Sequence, residues 1–257
     1  MSAKSGILST DSFRLPQIKI MRKDTGFTLL ELMVAMAIAA ILMAGIYTFY
    51  NNQLKTHITQ QQMVDMQQDA RAAMYMMTRE IRMAGYDPLN STGATIRTAN
   101  VAQMAFDSDS DGTADGGINP NTERFFYALS NDIDGDGLAD GTACDLERGG
   151  WDDSLNPDNL NPVALNIEAL NFVYLDNAGN TLNDDGNGNV TANIGAIRSV
   201  QITLVARSGE VVPVLTREHV DRTVYTNQQG RVLLPAQNDN FRRIRLTAAV
   251  KVRNLGL

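Results

Sequence analysis

Residues 27–54 read FTLLELMVAMAIAAILMAGIYTFYNNQL, and within Phe27–Tyr50 the only charge is Glu31. As an α-helix rising about 1.5 Å per residue, that stretch is about 36 Å long, enough to cross a hydrocarbon core of about 30 Å. Arg22 and Lys23 stand just before it. Basic residues flanking a span stay in the cytoplasm, so everything after Lys55 is expected on the far side. A cleaved secretory signal would need a shorter apolar run ending at a small-residue cut site. This run is long and passes into more helix. Glu31 is the odd residue. A carboxylate in an apolar helix is costly and points to a function, yet near the interface it can also reach water. The helix alone leaves both readings open.

Gly26-Phe27-Thr28-Leu29-Leu30-Glu31, behind Arg22-Lys23 and ahead of the apolar run, closely resembles the prepilin signature of type IV pilins and of type II secretion pseudopilins. The resemblance implies that a prepilin peptidase cuts between Gly26 and Phe27, and that the new terminus at Phe27 is N-methylated. It gives Glu31 the role of a carboxylate that meets the N-terminal ammonium of a neighbouring subunit during assembly. A buried charge is tolerable when paired, so the role is physically sound. A leader of residues 1–26 is long for this family. Residues 21–26 make a leader of the usual length by themselves, which predicts translation from Met21, with residues 1–20 outside the translated chain.

After Tyr50 the sequence turns polar without a helix breaker. Leu54, Ile58, Met66, Ala70, Ala73, Met77 and Ile81 recur at helical spacing and make one apolar stripe. Gly85 offers a C-cap and Pro88 a stop. A single helix over residues 27–84 is expected, its first half (27–50) transmembrane and its second half laid on a globular domain. Met74, Met76, Met77 and Met83 are expected to pack there.

Residues 85–257 read as an exported β domain. Candidate strands are Arg124–Leu129, Ile167–Leu175, Ile197–Ala206, Val211–Leu215, Val232–Leu234 and Arg243–Val252. Val200, Ile202, Leu204 and Ala206 share one face, and so do Ile244, Leu246, Ala248, Val250 and Val252. An antiparallel sheet packed on the helix stripe gives an α+β fold. The segments Leu165–Tyr174, Ile197–Ile202 and Met77–Tyr86, with the ending Val252-Arg253-Asn254, look like PilW-type minor pilins and are similar to the J-type minor pseudopilins of type II secretion. Many pilins close a C-terminal loop with a cysteine pair. This chain has one cysteine, Cys144, so packing or a metal must stabilise it instead.

Two acidic loops repeat the pattern D-x-D-x-D-G-x-x-D, at Asp107–Asp115 and at Asp132–Asp140. Ca²⁺ takes six to eight oxygens. Alternate carboxylates with a carbonyl at the seventh position can wrap it, and a glycine at the sixth allows the sharp turn. The expected ligands are Asp107, Asp109, Asp111, the Thr113 carbonyl and Asp115 in the first loop. In the second they are Asp132, Asp134, Asp136, the Leu138 carbonyl and Asp140. The twelfth positions, Ile118 and Ala143, lack the bidentate Glu of an EF-hand, and Glu123 and Glu147 are candidate substitutes. The competing reading is a solvated acidic loop without an ion. Asn183–Asn189 reads as a third polar turn in a hairpin.

Hydrophobic residues make up 44% of the chain and charged residues 20%, a globular balance. Beyond Gly26 there remain 17 basic and 27 acidic residues, a net of −10. That charge repels a nucleic-acid backbone. Arg242, Arg243 and Arg245 form a local basic patch whose plain reading is a solvent-facing strand edge. No nucleophile–base set, phosphate loop or zinc spacing occurs; His57 has no nearby ligand partner, and His219, beside Glu218 and Asp221 and a candidate general base by that proximity alone, has nothing Gly-rich or Ser-elbow-like with it, so no catalysis is expected. The leading expectation is a minor pilin that promotes assembly of a type IV pilus, as used in twitching motility. A type II pseudopilin and a pilus-tip adhesin or DNA-uptake subunit are the alternatives. The implied partners are the prepilin peptidase, other major and minor pilins, the inner-membrane assembly platform and membrane lipid. The implied location is the inner membrane, single-pass with the C-terminal domain periplasmic, and then the extracellular pilus.

Overall fold

A computed structural model describes residues 26–110, 123–141, 143–151, 156–209 and 219–255. The chain divides into two compact units, Met1–Asn51 and Asn52–Leu257. In the first, the described residues are a short non-helical lead, residues 26–28, and the start of helix α1 (Leu29–Ile81). Its side chains are exposed from Phe27 to Tyr50, and the helix is long and apolar enough to cross a membrane. Thr28 sets its beginning. Its Oγ1 accepts the Glu31 N–H at 3.2 Å, satisfying one of the donors a helix start leaves over.

The second unit packs the rest of α1 on a sheet. Met66, Ala70, Ala73, Met74, Met77 and Ile81 are buried. Leu54 and Ile58 are not: at 45% and 42% exposure they lie ahead of the part the sheet covers, so the stripe read from sequence engages only its C-terminal portion. Of the four grouped methionines, Met74 and Met77 enter the core, while Met76 and Met83 stay partly exposed. The helix stops three residues earlier than expected. Bonds from Met83 N–H to the Glu80 carbonyl and from Ala84 N–H to the Ile81 carbonyl tighten the last turn. Gly85 then takes φ +75°, and a Cβ there would meet Leu255 Cδ2 at 2.6 Å.

The strands are β1 (Ile96–Ala99), β2 (Met104–Asp107), β3 (Arg124–Leu129), β4 (Cys144–Trp151), β5 (Pro157–Leu175), β6 (Ser199–Arg207), β7 (Tyr225–Thr226), β8 (Val232–Leu234) and β9 (Arg243–Lys251). Seven form an antiparallel sheet in the order β1-β2-β3-β4-β5-β6-β9, and β7-β8 is a separate hairpin. One face meets α1 through Phe106, Tyr127, Leu146, Ile167, Phe172, Tyr174, Ile202 and Leu204. On the other face Ala169 and Val205 pack with Tyr225 and Leu234 of the hairpin and with Leu138. The candidate strand Val211–Leu215 lies outside the described residues.

Two charge groups tie the layers together. Glu80, near the end of α1, accepts hydrogen bonds from the Tyr127 hydroxyl of β3 and from Arg148 of β4, the latter at 3.0 Å. Arg243 of β9 has a fully buried side chain that contacts Glu168 of β5, Asp221 at 3.1 Å and Asp239 at 2.6 Å. Arg207 of β6 shares Glu168 at 3.2 Å. The basic patch expected at residues 242–245 is therefore corrected: Arg243 and Arg245 do fall on one side of the strand, but Arg243 is consumed inside the domain by three carboxylates.

Candidate functional site

The N-terminal motif is built by the cap. Thr28-Leu29-Leu30-Glu31 is the S/T-x-x-E spacing of a capping box, a signal the sequence reading passed over. The cap leaves Gly26-Phe27 outside the helix, with Phe27 84% exposed and open space around Gly26. The bond between them lies outside the helix, on exposed backbone. Glu31 lies in the first turn, exposed, where a negative charge offsets the positive end of the helix dipole.

In the first acidic loop, Asp107 ends β2 and is wholly buried. Its Oδ2 takes the Arg97 Nε–H at 2.6 Å, and its Oδ1 is buried without a hydrogen-bond partner. Burial raises its pKa against the pull of Arg97. Asp109 is buried as well, and so is Glu123, whose Oε1 accepts the Ser110 N–H at 2.9 Å. The substitute acid named from sequence thus lies against this loop. Asp111, Thr113 and Asp115 lie outside the described residues.

The second loop is described throughout the ligand set. Carboxylate oxygens of Asp132, Asp134 and Asp136 lie within 4.8 Å of one another. Asp132 organises the turn: Oδ1 accepts the Gly135 N–H at 2.9 Å and Oδ2 the Gly137 N–H at 3.0 Å. Burial raises the Asp132 pKa, and the neighbouring Asp136 charge adds to that. Asp136 Oδ1 accepts the Leu138 N–H at 2.8 Å, and Asp140 Oδ2 reaches back to the Ile133 N–H at 2.6 Å. The loop is pinned on β5 by Ala139 N–H to the Glu168 carbonyl and Leu170 N–H to the Gly137 carbonyl. These two bonds flank the Leu138–Ala169 bridge, so both backbone groups of Leu138 face away from β5. The three grouped carboxylates are oxygen donors of the kind a hard divalent cation takes, and Asp140, whose Oδ2 holds the Ile133 N–H, is not grouped with them. Glu147 instead lies on β4, opposite Ala128 and Pro162.

Asn183–Asn189 supplies an internal comparison. Asn183 Oδ1 accepts the Gly186 and Gly188 N–H groups at 2.8 and 2.9 Å, and both glycines have positive φ, +81° and +101°. Gly135 and Gly137 repeat this at +74° and +87°. The two turns share one backbone. They differ in charge: Asp132, Asp134 and Asp136 stand where the other turn has Asn183, Asp185 and Asn187.

Cys144 is buried, and burial pushes its thiol pKa up, which suits an inert core residue.

A capped apolar helix long enough to cross a membrane, behind a Gly-Phe junction and continuing into a helix-on-antiparallel-sheet domain, defines a type IV pilin-like protein. The chain matches the family described as prepilin peptidase-dependent protein B over residues 59–249, and the prokaryotic N-terminal methylation motif over residues 21–47. It belongs to that prepilin peptidase-dependent family. Its fold is similar to a type IV-like pilin from Thermus thermophilus, at 17% identity and a TM-score of 0.45, covering 74% of this chain and 96% of the other. None of the curated proteins matches.

Proposed function

We propose that the chain is a minor pilin, cut between Gly26 and Phe27, N-methylated at Phe27, and drawn from the inner membrane into a type IV pilus. The observation that carries this is the Thr28 cap, which leaves the Gly26–Phe27 bond outside the helix and sets Glu31 in its first turn. Cutting there creates an ammonium at the positive end of the helix dipole, where two like charges oppose each other. Glu31 of an adjacent subunit relieves that opposition and is itself relieved by it, so each carboxylate favours docking of the next chain. The charge balance supports an exported domain past Lys55 with Arg22-Lys23 on the cytoplasmic side. The role is structural. Burial of Arg243 counts against nucleic acid as the ligand.

The acidic turn at 132–140 takes one Ca²⁺ through Asp132, Asp134, Asp136 and the Leu138 carbonyl. Asp107, with its buried unpartnered oxygen, Asp109 and Glu123 begin a second site in the first loop. When bound, the ion neutralises carboxylates that otherwise repel one another.

Co-expression of the full chain with a prepilin peptidase and mass spectrometry of the product tests the processing. The expected N-terminus is N-methylphenylalanine at position 27, lost in Gly26→Val. A different mature terminus, or an unmodified one, overturns the proposal.

A further inference from the structure

The sheet has two edges, and the fold treats them differently. β1 is four residues long, and its Ala99 carbonyl is taken by the Val190 N–H at 2.8 Å. β9 is nine residues long. The Ser208 N–H donates to the Arg242 carbonyl, and the Val252 N–H donates to the Arg198 carbonyl. These bonds fix the parity of the β6–β9 ladder: even-numbered β9 residues exchange their backbone bonds with β6. Arg243, Arg245, Thr247, Ala249 and Lys251 therefore turn their N–H and C=O groups outward. Among the described residues no backbone group meets them. The result is an open row about 27 Å long.

Side chains along the row are patterned. On one face Arg245 and Lys251 are exposed, with small Thr247 and Ala249 between them, and exposed Arg253 follows. On the other, Ile244, Leu246 and Ala248 are half-buried. Residues 243–253 hold four basic residues and no acid, in a chain whose net charge is −7. Arg243 is neutralised internally, whereas Arg245, among the described residues, donates from Nη1 only to the neutral Thr226 carbonyl and hydroxyl, so three uncompensated positive charges remain along the edge. A second copy paired through the same edge would set six of these charges together, and the blunted β1 offers no complementary edge.

We propose that β9 is a docking edge for an extended segment of another polypeptide, one that alternates apolar and acidic residues and adds as an eighth strand. Its backbone satisfies the outward groups. Its carboxylates face Arg245 and Lys251, and its apolar side chains cover the half-buried face of Ile244, Leu246 and Ala248. The proposal goes beyond the pilin assignment and does not depend on it. Basic residues also guard sheet edges against promiscuous pairing, and the experiment separates the two roles by sign of charge.

The test uses the full chain in lipid nanodiscs and residue-resolved hydrogen exchange of β9, with an acetylated nine-residue peptide of alternating Val and Glu as probe and its Val–Lys counterpart as control. Without peptide, amides 245, 247, 249 and 251 are expected to exchange like free peptide while their even neighbours are protected. With the Glu peptide at about 1 mM, the odd amides should slow by about tenfold or more. Thr247→Pro removes only an outward donor, which an edge strand tolerates, so melting should change little while peptide protection is lost. The double change Arg245→Glu with Lys251→Glu should transfer the preference to the Lys peptide. Three results overturn the proposal: odd amides already slow without peptide, through residues 210–218 of the same chain or, if concentration-dependent, through a second copy; no slowing by the Glu peptide; or equal slowing by both peptides.

Discussion

Replacing Arg243 by Met keeps bulk at a fully buried position but removes the cation that three carboxylates share. Glu168 and Asp221 have side chains only 10% and 5% exposed. Left behind, they become buried charges, and breaking such a group costs about 3–5 kcal/mol. Two features reduce that. Arg207 still reaches Glu168 at 3.2 Å, and Asp239, 32% exposed, can hydrate. The expected loss is therefore near the lower bound, about 3 kcal/mol, or about 6–12 °C in melting temperature for a domain of this size. Thermal unfolding of the full chain in detergent, followed by the β circular-dichroism signal, reads it. Acid supplies an internal check. Hydrogen bonds from Thr223, Tyr225 and Arg243 outweigh the upward push of burial and hold Asp221 below its ordinary value, and Arg243 holds Asp239 down as well. Depressed carboxylates stabilise the fold above their unfolded value of about 3.9, and that stability is lost as pH falls through the folded values. Without Arg243 the Asp239 contribution is largely absent, while Asp221 keeps its bonds from Thr223 and Tyr225 but loses its cation, so the gap between wild type and variant should be full at pH 7 and narrow below about pH 4. A loss under about 1 kcal/mol at pH 7, or a gap insensitive to acid, would refute the buried cluster.

Asp132→Asn with Asp136→Asn should abolish calorimetric heat from Ca²⁺ at the second loop while leaving calcium-free melting almost unchanged, because Asn183 closes the twin turn on Gly186 and Gly188 without a charge at the position of Asp132; unfolding of the calcium-free variant would contradict this. Gly137→Ala should cost about 2–4 kcal/mol, since its φ is +87° and its Cβ would fall 2.3 Å from the Leu170 carbonyl oxygen, whereas Gly135→Ala, with open space around it, should cost about 1 kcal/mol; urea midpoints that rank the two the other way would sink the argument. The Tyr225 hydroxyl, raised to about 12 by burial and then by its bond to Asp221, is a group whose folded value lies above its unfolded one, so its contribution is intact below pH 10 and drains away between about pH 10 and 12. Tyr225→Phe should flatten alkaline unfolding in that window.

The helix and its N-terminal motif were legible because length, apolarity and one charge decide them. β3 and β8 coincide with their sequence readings, and β6 and β9 begin or end within two residues of theirs. β4 was not legible. Cys144-Asp145-Leu146-Glu147-Arg148-Gly149-Gly150-Trp151 carries charges and a glycine pair that break simple alternation, and Arg148 finds its reason only in Glu80, 68 residues away. β1 and β2 are four residues each, too short for a period to register, and β2 is buried on every residue. Arg243 was misread because sequence shows an arginine's neighbours along the chain but not the acids folded onto it. The capping role of Thr28 was available in the T-x-x-E spacing and was passed over because the prepilin signature overlaps it.

The twin turns at 132–137 and 183–188 close on the same short stretch of backbone: Gly137 comes to 3.7 Å of the Ala102 Cα and Gly188 to 2.7 Å of the Val101 Cγ1, each measured from the Cβ a larger residue would carry. Their shape is written by glycines and by one capping side chain, and their charge by other positions. Shape and charge can thus drift apart over generations. Single Asp–Asn exchanges retune the electrostatics at this end of the domain, toward more or less negative charge on the same bend, while the strands beneath keep their register.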